Sequence, residues 1–198
     1  MKYLKLISLI CIATIGCLFA SCEETAEVNE YANWEARNIE FIDSIAEVAK
    51  INADGKWLKI LSFKLNEEDV NGELKEWSNE NYVFCHVENK GVGTQHPLFT
   101  DSVSVNYRGR LIPTLSSPSG KVFDQSYKGL LNPATNNPAS FATGGVIVGW
   151  STALQQMVEG DIWRIYIPAK LAYGGRKQKD IPAYSALVFD INLVNIKR

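Results

Sequence analysis

The chain has 198 residues, 46% of them apolar, with 20 Lys and Arg against 22 Asp and Glu and a formal net charge of −2. The two signs are interspersed, so nucleic acid is excluded as an expected partner, because binding its phosphates draws on a basic face. The length left after removal of an N-terminal leader suits one ordinary domain with an appendage.

Lys2 and Lys5 precede an almost wholly apolar run over 6–20, closed by Ser21 and Cys22. This predicts a signal peptide over 1–21, too short and too abruptly ended for a membrane span. Phe19-Ala20-Ser21-Cys22 resembles a bacterial lipoprotein processing site, which makes Cys22 the lipidated first residue of the mature chain. Cys17 is the weaker competitor, since cutting there leaves Leu18 and Phe19 at the new terminus. The expected location is therefore outside the cytoplasm, lipid-anchored to the bacterial cell envelope on its periplasmic or cell-surface face. Cys11 and Cys17 leave with the signal and Cys22 carries lipid, so Cys85 remains as a free thiol and no disulfide is expected. Cys85 lies in the strand-like run Tyr82-Val83-Phe84-Cys85-His86-Val87 and reads as a small buried apolar residue in preference to a reactive thiol.

Residues 22–33 are polar and aperiodic, which predicts a flexible tether. An N-terminal extension follows over 34–81. In it Trp34, Ile39, Ile42, Ile45, Val48 and Ala49 recur at helical spacing, with Asn33 placed to cap an amphipathic helix over 34–50. Residues 57–61 predict a short strand, and 67–81 is too polar to assign. The extension is expected to pack on its own domain or space it from the membrane; docking a partner or a second copy is the less favoured reading, because an apolar helical stripe usually buries against its own chain.

From Tyr82 the texture changes to short alternating runs, forming a domain over 82–198. Val103, Val105 and Tyr107 share one strand face, Trp163, Ile165 and Ile167 another, and Leu187, Phe189, Ile191 and Leu193 a third. These predict half-buried antiparallel strands. One helix interrupts them, expected over 151–158 with Gly160 ending it. The fold class expected is α+β, an antiparallel sheet wrapped around one short helix, with a helical N-terminal extension.

The usual catalytic motifs are missing from the sequence. The two histidines, His86 and His96, stand in no ligand-spaced cluster, and there is no zinc motif, Walker-type Gly-Lys loop or GxSxG elbow. Gly144-Gly145-Val146-Ile147-Val148-Gly149 has the wrong glycine spacing for a dinucleotide loop. Neither a cofactor nor a metal is expected.

The ordered series Val103 to Gly109, Val122-Phe123-Asp124, Gly144 to Trp150, Ile167 to Gly175, Ile181-Pro182 and Ala186 to Leu193 resembles an FKBP-type peptidyl-prolyl cis-trans isomerase domain over about half the chain. The resemblance implies a sheet around one helix and a pocket for a proline ring. It implies Trp150 as the floor, Tyr107, Phe123 and Phe189 as walls, and Val146 and Ile147 as a rim. It also places Ile181 at the pocket, gives Tyr173 the role of hydroxyl donor to a substrate carbonyl, and lets Ile147 offer its backbone amide. Asp124 is implied to orient Tyr107. Asp124, Tyr173, Trp150 and Phe123 are thus the expected catalytic residues, and Tyr107, Val146, Ile147, Ile181 and Phe189 the substrate-binding ones.

Three departures from the family pattern bear on ligands. Ala139 stands where an aromatic is frequent, the stretches 112–119 and 125–140 are long, and the basic run Arg176-Lys177-Gln178-Lys179 lies between Tyr173 and Ile181. The second long stretch is expected at the pocket mouth. These departures weigh against macrolide binding more than against binding of proline-containing polypeptide clients. Two functions fit: rotation of X-Pro bonds in exported proteins by desolvation and distortion, or a non-catalytic, chaperone-like module holding peptide in the same cleft.

Overall fold

The computed structural model describes residues 29–68 and 72–198; the expected signal, the expected lipidation site Cys22 and most of the expected tether lie outside the described residues. The elements in chain order are α1 (Trp34–Ile51), β1 (Trp57–Leu61), β2 (Tyr82–Asn89), β3 (Ser102–Leu111), β4 (Val122–Gln125), β5 (Ala139–Ala142), α2 (Val148–Leu154), β6 (Ile162–Ile167) and β7 (Leu187–Lys197). The strands form one antiparallel sheet in the order β1-β2-β6-β7-β3-β4, with β5 also paired to β3. Ten-residue β3 holds β7 along one edge; along the other it holds β5 at Ser102–Val105 and β4 at Arg108–Arg110. This is the α+β arrangement expected.

Strand register decides which side chains face which helix. Tyr166 pairs with Phe84 and Val188, while Ile165 pairs with Cys85 and Phe189, so the two sets lie on opposite faces. Trp163, Ile165 and Ile167 are buried toward α2, where a Cβ on Gly149 would come within 2.3 Å of Ile167 Cγ2. On the other face Phe41 of α1 meets the Tyr166 ring at 6.1 Å, and Trp57 stacks on Tyr166 at 5.6 Å. The sheet therefore carries one helix on each face. Cys85 is fully buried and unpaired, and burial pushes its thiol up out of reactive range.

Several local expectations change. The second helix begins at Val148 and ends at Leu154, earlier than 151–158, because its buried run is Gly149 to Leu154; the chain beyond continues as hydrogen-bonded turns. Gly160, at φ +93°, instead donates its N–H to Leu193 O. Asn33 does occupy the N-cap position of α1, but in the left-handed region at φ 51° and with no side-chain capping bond. The better end is the other one: Asn52, at φ 45°, donates its N–H to Val48 O, and its side chain bonds both backbone groups of Trp57. The buried stripe of α1 is Trp34, Asn38, Ile42 and Ala46, whereas Ile39 and Val48 are exposed. β3 and β7 are not half-buried: Ser104, Asn106 and Asn192 are buried among the apolar alternates, with Asn106 Nδ2 donating to Asn192 Oδ1 and Asn192 Nδ2 to Asp161 O.

Candidate active site

A cavity of about 500 Å³ opens on the α2 side of the sheet. Five aromatic rings from five elements build it. Trp150, 4% exposed, meets Tyr107 at 5.4 Å, Phe141 at 5.5 Å and Phe189 at 5.1 Å, each close to perpendicular. Phe141 also meets Tyr107 at 5.6 Å, and Phe123 meets Phe189 at 5.5 Å. Edge-to-face packing lets each ring face meet a ring edge, so the walls hold one another without filling the space between them.

Gly109 makes the Phe123–Phe189 contact possible. A Cβ there would lie 2.5 Å from Phe189 and 2.6 Å from Phe123. A glycine inside a long strand is the sequence signal for such a close approach, and it was not drawn from the sequence.

Polar groups sit at the rim. Tyr107 donates its hydroxyl to Asp124 Oδ2 at 2.8 Å, and Gln125 N–H donates to Asp124 Oδ1 at 2.9 Å. Burial first, and then the bond to Asp124, pushes the Tyr107 hydroxyl well above the ordinary phenol range. Ile147 precedes the first turn of α2; its carbonyl accepts from Trp150 N–H, while its own amide donates to no described residue. The buried Trp150 Nε1 likewise has no partner among the described residues. Tyr173 is half-buried beside the cavity, its hydroxyl without a described partner.

Of the nine pocket residues expected from the sequence, eight surround this cavity: Tyr107, Phe123, Asp124, Val146, Ile147, Trp150, Tyr173 and Phe189. Ile181 does not. It is 5% exposed within the core, and its backbone closes a two-bond turn with Gln178. The stretch 126–138 also contributes no lining residue, contrary to its expected place at the mouth. Phe141 was passed over as a wall. It lies on the same face of β5 as Ala139, two residues on, so its ring occupies the wall that Ala139 leaves short. From the basic run only Arg176 reaches the cavity.

Comparison with known proteins agrees with this geometry. The family model described as FKBP-type peptidyl-prolyl cis-trans isomerase matches residues 93–194. Among similar proteins, the peptidyl-prolyl cis-trans isomerase Mip of Coxiella burnetii is 43% identical over 105 residues, covering 52% of this chain and 40% of the relative. The outer membrane protein MIP of Legionella longbeachae is 38% identical over 109 residues, covering 54% and 41%. The chain thus spans less than half the length of either relative. The crystal structure of a peptidyl-prolyl cis-trans isomerase from Pseudomonas syringae pv. tomato superposes with a TM-score of 0.55 at 27% identity, covering 82% of this chain and 96% of that one. With the matched segment carrying β3 to β6, most of β7 and every residue around the cavity, this chain belongs to the family of FKBP-type peptidyl-prolyl cis-trans isomerases.

Proposed function

We propose that this chain rotates X-Pro bonds in proline-containing polypeptides by desolvating and distorting the imide in the aromatic cavity. The observation that carries this reading is a box of mutually perpendicular rings whose nearby donors, the Ile147 amide and the Tyr173 hydroxyl, have no partner among the described residues. Rotation must break amide resonance, a barrier of about 20 kcal/mol, and it needs neither a nucleophile nor an acid. The planar imide is the more polar form, so stripping water from it raises the ground state relative to the twisted one. Donors that meet the substrate carbonyls best in the twisted form lower the barrier further. Asp124 acts through Tyr107, fixing the wall ring by its hydroxyl.

The same reading places the protein in the bacterial cell envelope, anchored through lipid on Cys22, with exported proteins as clients. The apolar run ending at Ser21-Cys22 and the likeness to a relative named as an outer membrane protein support it. Labelled fatty acid should enter the wild-type chain and be lost in Cys22→Ser; label retained there and lost in Cys17→Ser moves the anchor.

Catalysis is tested by exchange NMR on a set of X-Pro peptides. The protein should speed cis-trans exchange, and Tyr173→Phe should slow it by about tenfold with folding intact, the scale of one hydrogen bond realised in the transition state. A folded protein that binds these peptides without speeding exchange is the holding module instead.

A further inference from the structure

The flap that carries Tyr173 to the cavity makes few hydrogen bonds to the rest of the domain, although its Ile181 is buried in the core. It runs over 172–186 and is exposed from Gly175 to Asp180. Among the described residues, only two hydrogen bonds join it to chain outside 169–186, and both go to α1 on the opposite face of the sheet. Trp34 donates its Nε1–H to Ser185 Oγ at 2.8 Å, and Ala186 donates its N–H to Asn38 Oδ1 at 2.8 Å. Both donors and both acceptors are buried: Trp34 is 7% exposed, Asn38 2%, Ser185 3% and Ala186 1%.

From these anchors the contacts run to Gly174 and Gly175, the residues that follow Tyr173. Ser185 Oγ donates to Pro182 O at 2.7 Å, and Tyr184 N–H donates to Gly174 O at 2.8 Å. The Tyr184 ring lies so close over Gly175 that a Cβ there would stand 2.9 Å from its hydroxyl. Tyr184 itself holds φ at 59°, a backbone state that a bulky residue keeps only where its surroundings over-determine it. Asn38 is the polar interruption in the buried stripe of α1, and its Nδ2 donates to Trp34 O at 2.6 Å, which ties the two anchors together. A helix that only covered the sheet would gain from an apolar side chain at that position.

We infer that Trp34 and Asn38 are positioning residues for the isomerase reaction: the N-terminal helix holds the flap, and through it Tyr173, at the cavity. The inference rests on the function proposed above. It makes the helix part of the catalytic apparatus at one remove, although no residue of it lines the cavity.

Trp34→Phe removes the indole donor and keeps a ring, and Ser185→Ala removes the same bond from the flap side, so a Trp34→Phe chain that fails to fold does not end the test. Ser185→Thr keeps the hydroxyl. Exchange NMR on an X-Pro peptide separates kcat from KM, and the resonances of Tyr173 and Gly174 report flap geometry whether or not the protein turns over. The expected result is kcat reduced by about three- to tenfold in Trp34→Phe and Ser185→Ala, as for one lost hydrogen bond felt in the transition state, with KM moved less than about twofold and the flap resonances displaced. Ser185→Thr should restore both. Folded variants with unmoved flap resonances and wild-type kcat overturn the inference. A wild-type protein without isomerase activity removes the proposed function instead, and the flap resonances still decide whether α1 positions Tyr173.

Discussion

The two faces of the sheet spend their aromatic and polar groups in opposite ways. On the α2 side, Trp150 meets three rings edge-on around an open cavity, and its indole N–H and the Ile147 amide have no partners among the described residues. On the α1 side, Tyr166 lies between Phe41 and Trp57, and the charges beside it are paired. Asp190 accepts from Arg110 Nη2 at 2.6 Å and from Arg164 Nε at 2.7 Å. A folded chain pairs its buried polar groups wherever it can. Under the function proposed above, the face that leaves donors unengaged beside space is the one that receives the substrate, and the face that satisfies them holds the domain together.

That contrast breaks most visibly at Trp150. Trp150→Ala should cost about 3 to 5 kcal/mol of stability, read as a lower urea midpoint, and abolish catalysis as well, since the same ring is core and floor. On the α1 face, Asp190→Asn leaves Arg110 and Arg164 facing an uncharged partner in a half-buried setting. It should lower stability by about 2 kcal/mol, the scale of hydrogen bonds to charged groups, while kcat/KM of the folded protein stays at the wild-type value. Loss of catalysis in folded Asp190→Asn would mean that the two faces are not separable in this way. Asp124→Ala should do the reverse. Asp124 is exposed and bonds Tyr107 at the cavity rim, so kcat/KM should fall by about tenfold with the urea midpoint nearly unchanged.

Much of this was legible in the sequence wherever one strand or one motif carries the information. Trp163, Ile165 and Ile167 alternate with half-buried partners, and the structure buries those three. The start of α2 was obscured because Val148 and Gly149 read as the end of a glycine-rich loop, although Gly149 is glycine for close packing on Ile167. Most cavity residues came from the order of family motifs, since a lone Trp150 or Phe189 looks like any core aromatic. Ile181 was misplaced because motif order does not show that a turn with Gln178 folds it into the core. Asn38 was invisible to a search for apolar periodicity, being the polar member of a buried stripe. Its partner, Ala186, is 148 residues away, and Trp34 is 151 from Ser185. Local patterns carry no record of contacts at that distance.

The smallest expected effect is that of pH, and it sharpens the contrast because it asks whether the cavity does any acid-base chemistry. Neither histidine lines the cavity: His86 bonds Asp54 Oδ2 and pairs with Glu88, and His96 bonds Met157 O. The tyrosine bonded to Asp124 is moved away from neutrality. Burial and the Asp124 bond raise the Tyr107 hydroxyl, and for an acid a raised pKa means that its proton is held to higher pH, so the bond that fixes the wall ring persists throughout the neutral range. Rotation of an imide moves no proton between heavy atoms. The expected outcome is therefore a kcat/KM that is nearly flat between about pH 6 and 9, with only a small solvent deuterium isotope effect. Exchange NMR is the suitable measurement, since no coupling protease adds its own pH dependence, and the unfolding midpoint is followed at each pH. A bell-shaped profile with both limbs inside that window, accompanied by a large isotope effect, would show rate-limiting proton transfer. The unengaged donors of the α2 face would then have to act as acids, and desolvation with distortion would no longer account for the rate.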